Sequence, residues 1–338
     1  MKTIKLKKKT WIIIILNSFF LLAFGVLILS YSSIAHKLQH EHMDKVWAGE
    51  SNERYAQVSC FLPVNSTLTE ADIDSFRHKI DDKLLEISLE AEEGKSLYVD
   101  AYSASSQLTI KNGSRSANVS ALGVSENYFF FHSLPLKSGS YLSAWDLMRD
   151  RVVLDDNTAW NLFGSFDVAG MQVTIDDKPF VVAGVVTHNQ DHASKLAEEN
   201  TAAIAYVDYS IVAESHPITC YELIMPNPIS DFAITLVNEE FPLGEQGQAL
   251  ENSRRFRPIN IAKLFFSYAK RLMIDEGIAY PSWENAARYL EVKLGGISVV
   301  AALCMLFPLI TLIALVVYWY RKLYKYLKQR IEDRRITA

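Results

Sequence analysis

Two histidine pairs carry the spacing that a metal site uses. His188 and His192 stand four residues apart with Asp191 between them, so a helix would bring both imidazoles to one face beside a carboxylate. His36 and His40 repeat that spacing near the amino terminus. A zinc or copper site needs three or four ligands, and no further cysteine, histidine or carboxylate completes either pair at a matching distance. Solvated histidines are the simpler reading, so His188 and His192 stand only as weak metal candidates.

Other chemistry-bearing patterns fail for stated reasons. Gly94-Lys95-Ser96 looks like the end of a phosphate-binding loop, but that loop needs a glycine five residues earlier and Leu89 occupies the place. The triplet also follows an acidic helical stretch rather than a strand. Nucleotide binding is therefore excluded, and any ATPase must be another polypeptide. There is no G-x-S-x-G, no H-E-x-x-H and no glycine-rich dinucleotide turn. The carboxylates are scattered, as on an ordinary surface. No catalytic residue and no cofactor is assigned, and the chain reads as a non-enzyme.

The three cysteines, Cys60, Cys220 and Cys304, form no C-x-x-C. Cys304 lies in an apolar run and reads as inert packing. Cys60 and Cys220 fall in the polar middle region. If that region faces an oxidising exterior, they could form one disulfide.

The chain has 338 residues, 49% hydrophobic and 22% charged, with a net charge of -5. That balance leaves no footprint for nucleic acid. The mean hides a division into two strongly apolar segments and a polar middle. Residues 1–10 form a basic tail with Lys2, Lys5, Lys7, Lys8 and Lys9. Residues 11–31 are apolar and long enough, at about 20 residues, to cross a bilayer core as a helix. A cleaved signal peptide competes with this reading, since Ser33-Ile34-Ala35 is a small-x-small site. The run is longer than a usual signal core, which favours an uncleaved anchor. Residues 32–48 continue as a polar, helical stalk.

Residues 295–320 make the second span, with Pro308 as an expected kink. Residues 321–338 form a second basic tail. The aromatics expected at the membrane interfaces are Trp11 and Tyr31 on the first span, Trp283 before the second, and Tyr318, Trp319 and Tyr320 at its end. Lysine and arginine at both ends place both termini on the cytoplasmic side and residues 32–294 outside. Residues 259–294 read as juxtamembrane helices. One covers Ile259–Glu276, which carries apolar positions and cations suited to a lipid surface or a core, and another begins after Pro281-Ser282.

Residues 49–258 read as an α+β domain. Arg54–Val64 is a strand. Thr69–Glu90 is a helix with Thr69 and Asp72 as its capping pair and Ile73, Phe76, Ile80 and Leu84 on one face. Leu97–Tyr102 and Gln107–Lys111 are strands, the second turning at Asn112-Gly113. Arg151–Leu154 is a strand and Asp155–Phe163 a helix, capped by Asp155 or Asp156 and stopped by Gly164. Gln172–Ile175 and Pro179–Val186 form a hairpin about Asp176-Asp177-Lys178. Thr187–Asn200 is a loop, Thr201–Asp208 and Tyr221–Pro226 are strands, and Ile229–Phe241 is a helix. Asn65, Asn112 and Asn118 open N-x-S/T sequons, relevant only in a eukaryotic secretory pathway.

One stretch carries more than periodicity. Gly123-Val124-Ser125, Tyr128-Phe129, Ala159, Leu162-Phe163-Gly164, Asp167, Gly170, Ile175, Phe180, Val182 and Gly184-Val185-Val186 occur in this order. The pattern resembles the extracytoplasmic core domain of MacB-type ABC transporter permeases. The resemblance implies a two-lobed domain between two transmembrane helices, with an inserted upper lobe at about 115–210. It implies a bacterial plasma-membrane protein, a separate ABC ATPase and a mechanical role in transport or efflux. Such a permease has four spans, and this chain ends at Ala338, soon after the second. Pairing with a four-span permease or with a second copy is therefore expected. A membrane-anchored ligand-binding or sensory module that transports nothing is the alternative.

Overall fold

The computed structural model describes residues 8–51, 53–91, 95–143, 145–187, 203–265, 274–275 and 277–336. The chain enters as α1, Lys8–Ala35, a 28-residue helix of almost wholly apolar sequence. It ends well before the predicted end of the stalk. A 3-10 turn, Gln39–His42, and α2, Met43–Ala48, follow as separate pieces.

Strand β1 spans Tyr55–Phe61, and its last six residues are buried. Helix α3, Glu70–Glu86, opens on a capping box. The Thr69 amide donates to Asp72 Oδ2 at 2.9 Å, while the Thr69 hydroxyl oxygen accepts from the Asp72 amide at 3.4 Å. Ile73, Phe76, Ile80 and Leu84 are its buried residues.

The next two predicted strands are one. Strand β2 runs unbroken over Val99–Asn112 and pairs in register with β3, Arg115–Val124, from Ser103↔Val124 to Asn112↔Arg115. Ser103-Ala104-Ser105-Ser106 reads as a break from composition, but partners on neighbouring strands supply the hydrogen bonds that hold it extended. After α4, Tyr128–Phe131, come β4, Leu136–Gly139, and β5, Arg151–Asp155.

Helix α5, Asp156–Phe163, is capped by Asp155, whose carboxylate accepts from the Thr158 amide at 2.8 Å, and closed by Gly164 at φ 72°. Strands β6, Gln172–Ile175, and β7, Lys178–Val186, meet at a two-residue turn with Asp176 and Asp177 both left-handed. That is the turn geometry which matches strand twist. The remaining elements are β8, Ile204–Asp208, β9, Cys220–Pro226, α6, Phe232–Glu240, β10, Gln248–Glu251, and α7, Pro258–Phe265. They lead to β11, Ile274–Asp275, β12, Ile278–Ala279, and α8, Ser282–Ile336.

Two expectations near the membrane are corrected. The helix over Ile259–Glu276 does not reach its predicted end, because Ile274–Asp275 pair with Ile278–Ala279 as a small hairpin around Gly277 at φ 87°. The helix starting at Ser282 and the second span are one 55-residue helix. Gly295-Gly296 does not interrupt it, and neither glycine adopts a positive φ.

Ten strands form one sheet in the order β10-β1-β9-β2-β3-β8-β5-β7-β4, with β6 pairing β2 and β7 beside this path. The pairs β3·β8 and β5·β7 are parallel; the rest are antiparallel. The strands β10, β1, β9 and β2 come from residues 55–112 and 220–251. The strands β3, β8, β5, β7 and β4 come from 115–208. They join edge to edge through the β2–β3 hairpin. On one face of β1 and β9, α3 and α6 pack Phe76 against Tyr221 and Phe241, at ring separations of 5.9 and 5.0 Å. The other face receives the 3-10 turn, the β11–β12 hairpin and the start of α8. Helices α1 and α8 pack antiparallel, with Phe20 on Phe307 at 5.3 Å and the Thr311 hydroxyl donating to Asn17 Oδ1 at 2.7 Å.

Candidate functional site

Arg255 is the centre of the second face. It follows β10 in a short 3-10 turn and is completely enclosed. Glu284, Arg288 and Glu291 stand at spacings of four and three residues, which puts them on one side of α8. The Arg255 guanidinium donates twice to Glu284, Nη1 to Oε2 at 2.6 Å and Nη2 to Oε1 at 2.8 Å. Its Nε donates to Glu291 Oε1 at 2.7 Å. Nη1 also reaches both oxygens of Glu41, at 3.3 and 3.4 Å. Arg288 closes the group, with Nε to Glu284 Oε1 at 2.7 Å and its guanidinium 3.5 Å from the Tyr280 ring centroid.

Two guanidiniums thus face three carboxyl groups. Burial pushes Glu41 up to about 8, against the pull of Arg255 and with Glu284, Glu291 and Glu222 adding to the rise. Burial also opposes ionisation of Glu284, but Arg255 and Arg288 together hold it below the usual carboxylate range. Burial thus favours the protonated form of Glu41, which lessens the excess of carboxyl groups over guanidiniums in the cluster.

Withdrawing this many charges from water carries a large desolvation penalty, and an apolar seam of equal volume is often as stable. What the charges add is direction. A forked guanidinium on a carboxylate fixes angle as well as distance, so it sets the rotation of α8 about its own axis against the sheet.

The turn bearing Glu41 is tied to the sheet independently. Gln57 on β1 donates from Nε2 to the His40 carbonyl at 2.7 Å and accepts from the Met43 amide at 3.1 Å. A polar chain continues across the strands. The Asn252 amide donates to Ser59 Oγ at 2.9 Å, Ser59 donates to Glu222 Oε1 at 3.3 Å, and Glu222 Oε2 meets His132 Nε2 at 2.5 Å. Trp283, at the start of α8, lies on the His132 ring at 4.6 Å and against Phe61 at 5.5 Å. His40 stands beside both rings, with its pKa held well below the usual histidine value by burial and then by His132 and Arg255. Its 3.6 Å approach to Glu41 joins two groups whose charged forms burial disfavours. Toward α1, Tyr31, Ala35, Leu38, Phe256, Ile261, Ala286, Leu290 and Leu294 form an apolar cluster beside it, and the Tyr31 hydroxyl donates to the Phe256 carbonyl at 2.8 Å.

The residues singled out from sequence separate sharply. His188 and His192 lie outside the described residues. His36 is exposed and stacks on His42 at 5.4 Å, while His40 is buried on the far side of the turn. The helix ends at Ala35, before both of them, so their four-residue spacing places them on no common helical face. Among the described residues no three histidine, cysteine or acidic side chains come together as metal ligands would.

Cys60 and Cys220 are free thiols in this structure. Cys60 pairs with Tyr221 and Phe61 with Cys220, so the two sulfurs point to opposite faces of the sheet. One joins the α3–α6 core and the other the α8 side, and burial raises both thiol pKa values. The possible bridge between them is not present in this structure, where a one-residue offset between neighbouring strands turns the two side chains to opposite faces.

Of the expected interface aromatics, Trp11 is 53% exposed and Tyr318, Trp319 and Tyr320 are 60%, 61% and 69% exposed on the outside of the helices. Tyr31 and Trp283 pack into the joint between the sheet and α8 around Arg255, held by contacts that amphipathic aromatics make in a wet core. The joint itself was missed from sequence. Its only signal is the Glu284–Arg288–Glu291 spacing ahead of an apolar helix, with Glu41 and Arg255 far away in the chain.

The sequence model of one family, described as the MacB-like periplasmic core domain, matches residues 18–231. This chain belongs to that family. Among solved structures, the periplasmic region of MacB from Actinobacillus actinomycetemcomitans is 15% identical, covering 68% of this chain and 97% of its own, with a TM-score of 0.42. The extracellular domain of the noncanonic ABC-type transporter YknZ from Gram-positive bacteria is also 15% identical, covering 57% of this chain and 99% of its own, with a TM-score of 0.39. No curated protein matches this chain. The chain thus carries the MacB-like domain of the ABC transporter permease family, flanked by two helices long and apolar enough to cross a membrane.

Proposed function

We propose that this chain is a non-catalytic membrane subunit of a bacterial ABC transport or efflux system. It relays movement driven by a separate ATPase to the extracytoplasmic domain. Both termini lie in the cytoplasm, and Trp11 with Tyr318, Trp319 and Tyr320 sits at that membrane surface. The partner is an ABC ATPase, with a four-span permease or a second copy completing the membrane part.

The observation that carries this reading is the Arg255 cluster. It joins three pieces of chain: the turn that leaves α1, the turn that leaves β10, and the opening turns of α8. A tilt of either membrane helix must move the sheet or break buried ion pairs. That is the linkage a mechanical relay needs, and no covalent chemistry is required of it.

Purification of the tagged chain from native membranes in mild detergent tests the proposal. An ABC ATPase should co-purify in fixed ratio, and should stay bound when Glu284 and Glu291 are both changed to Ala, since those residues lie across the membrane from it and only transmit its motion. Recovery of the chain with no ATPase overturns the relay. Inhibitor-labelled cysteines at either end reaching the outside of intact cells overturn the orientation.

A further inference from the structure

Helix α8 outruns the described part of its partner, α1. Asn17 meets Thr311 and Phe20 meets Phe307, so the antiparallel register brings Lys8, the first described residue of α1, level with Tyr320. Beyond that level α8 continues through Ile336, 16 residues further. At 1.5 Å per residue the extension is about 24 Å long.

The extension has an ordered surface. Tyr320, Tyr324, Leu327 and Ile331 follow spacings of four, three and four, which lines them up on one side of the helix. They are 69%, 61%, 49% and 57% exposed. Between Arg321 and Ile331 the chain holds five cations, Arg321, Lys322, Lys325, Lys328 and Arg330, and no carboxylate. Arg321 and Lys325 repel at the i,i+4 spacing, Glu332 and Asp333 follow only near the helix end, and the apolar side chains of the seam face water. A partner that covered the seam would remove this apolar surface from water.

We infer that the seam of Tyr320, Tyr324, Leu327 and Ile331 is a docking surface for an acidic protein segment with its own apolar stripe. Charge decides among the occupants. A second copy would set five cations against five, which is repulsive at coiled-coil distances. A bilayer surface suits a helix lying in its plane. This one continues a spanning helix, so only its first turn lies near headgroups. An acidic segment gains both the apolar contact and the paired charge. The inference needs the two spans but not the ATPase of the preceding proposal, so either can fail alone.

The test places a photoreactive phenylalanine analogue at position 327 of the full chain in native membranes, with position 322, on the opposite side of the helix, as control. Irradiation at 327 should give an adduct whose crosslinked peptide is rich in Asp and Glu, at no less than fivefold the yield from 322. Lys325→Glu with Lys328→Glu should cut that yield at least fivefold, with the chain still recovered in membranes at its normal level. Adducts to lipid, adducts to a second copy, equal yields from both positions, or no adduct at 327 overturn the inference.

Discussion

Arg255 and Glu284 are joined by two parallel hydrogen bonds, 2.6 and 2.8 Å long, with both side chains wholly enclosed. They come from different elements, 29 residues apart in the chain. Removing one member leaves the other charged and dry. Arg255→Met should therefore lower stability by about 3–5 kcal/mol. Adding Glu284→Gln and Glu291→Gln to that change should recover part of the loss, because no buried anion is then stranded. Unfolding in detergent, followed by tryptophan fluorescence, reads both. Strictly additive losses would show that the pair is not coupled.

The same cluster sets a pH dependence. Glu41 is raised from its ordinary 4.5 to about 8 in the folded chain, mainly by burial. The folded state then binds more protons than the unfolded one between those values. The stability it contributes is complete below about 4.5 and is lost as pH rises through about 8. His40 acts in the opposite sense. Its lowered pKa gives stability that is present above 6.5 and lost as pH falls below it. Glu41→Gln should flatten the alkaline fall and leave the acid side in place. Unfolding free energies measured from pH 5 to 9 decide this, and an unchanged alkaline slope in the variant rejects the assignment.

Local signals in this chain were legible, and long-range ones were not. The Thr69–Asp72 box, the Asp155 cap, Gly164 and the Asp176-Asp177 turn each act within a few residues, so sequence spacing states them directly. The unity of β2 depends on pairing with β3 and β9, and the pairing of Cys60 with Tyr221 depends on a register between distant strands. The site is the extreme case. Glu41 and Arg255 are 214 residues apart, and nothing local distinguishes them from solvated charges. His36 and His40 failed in the reverse way, since their spacing has meaning only on a helix that stops at Ala35.

Gly184 on β7 has no room for a side chain. A Cβ there would lie 2.4 Å from the Ser140 carbonyl oxygen and 2.8 Å from that of Ser138. Both belong to backbone that cannot rotate away. Gly184→Ala should cost about 1–3 kcal/mol by overpacking and loosen the β4–β7 edge. Gly113, at φ 59° in the β2–β3 turn, has open space around it. Its alanine variant should cost about 1–2 kcal/mol from backbone strain alone. Amide exchange separates them. Gly184→Ala should raise exchange at β4 and β7, and Gly113→Ala only at the hairpin tip. Protection of β4 in the Gly184 variant would show that the strand edge can shift.

Asn17 and Thr311 make a polar contact between the two long apolar helices, the Thr311 hydroxyl donating at 2.7 Å. The same hydroxyl lies 2.8 Å from the Pro308 carbonyl, one turn back, so it has an alternative partner within its own helix. Asn17 likewise donates to the Ile13 carbonyl at 2.8 Å. Each side chain can therefore satisfy itself when the helices part, which keeps the net value small. Thr311→Val should weaken α1–α8 association by only about 0.6 kcal/mol, the ordinary size of such bonds in lipid. Phe307→Ala, which removes the ring packed on Phe20, should cost more. Thermal unfolding in the same detergent compares the two, and a larger loss from Thr311→Val would make the hydroxyl, not the aromatic contact, the principal tie between the spans.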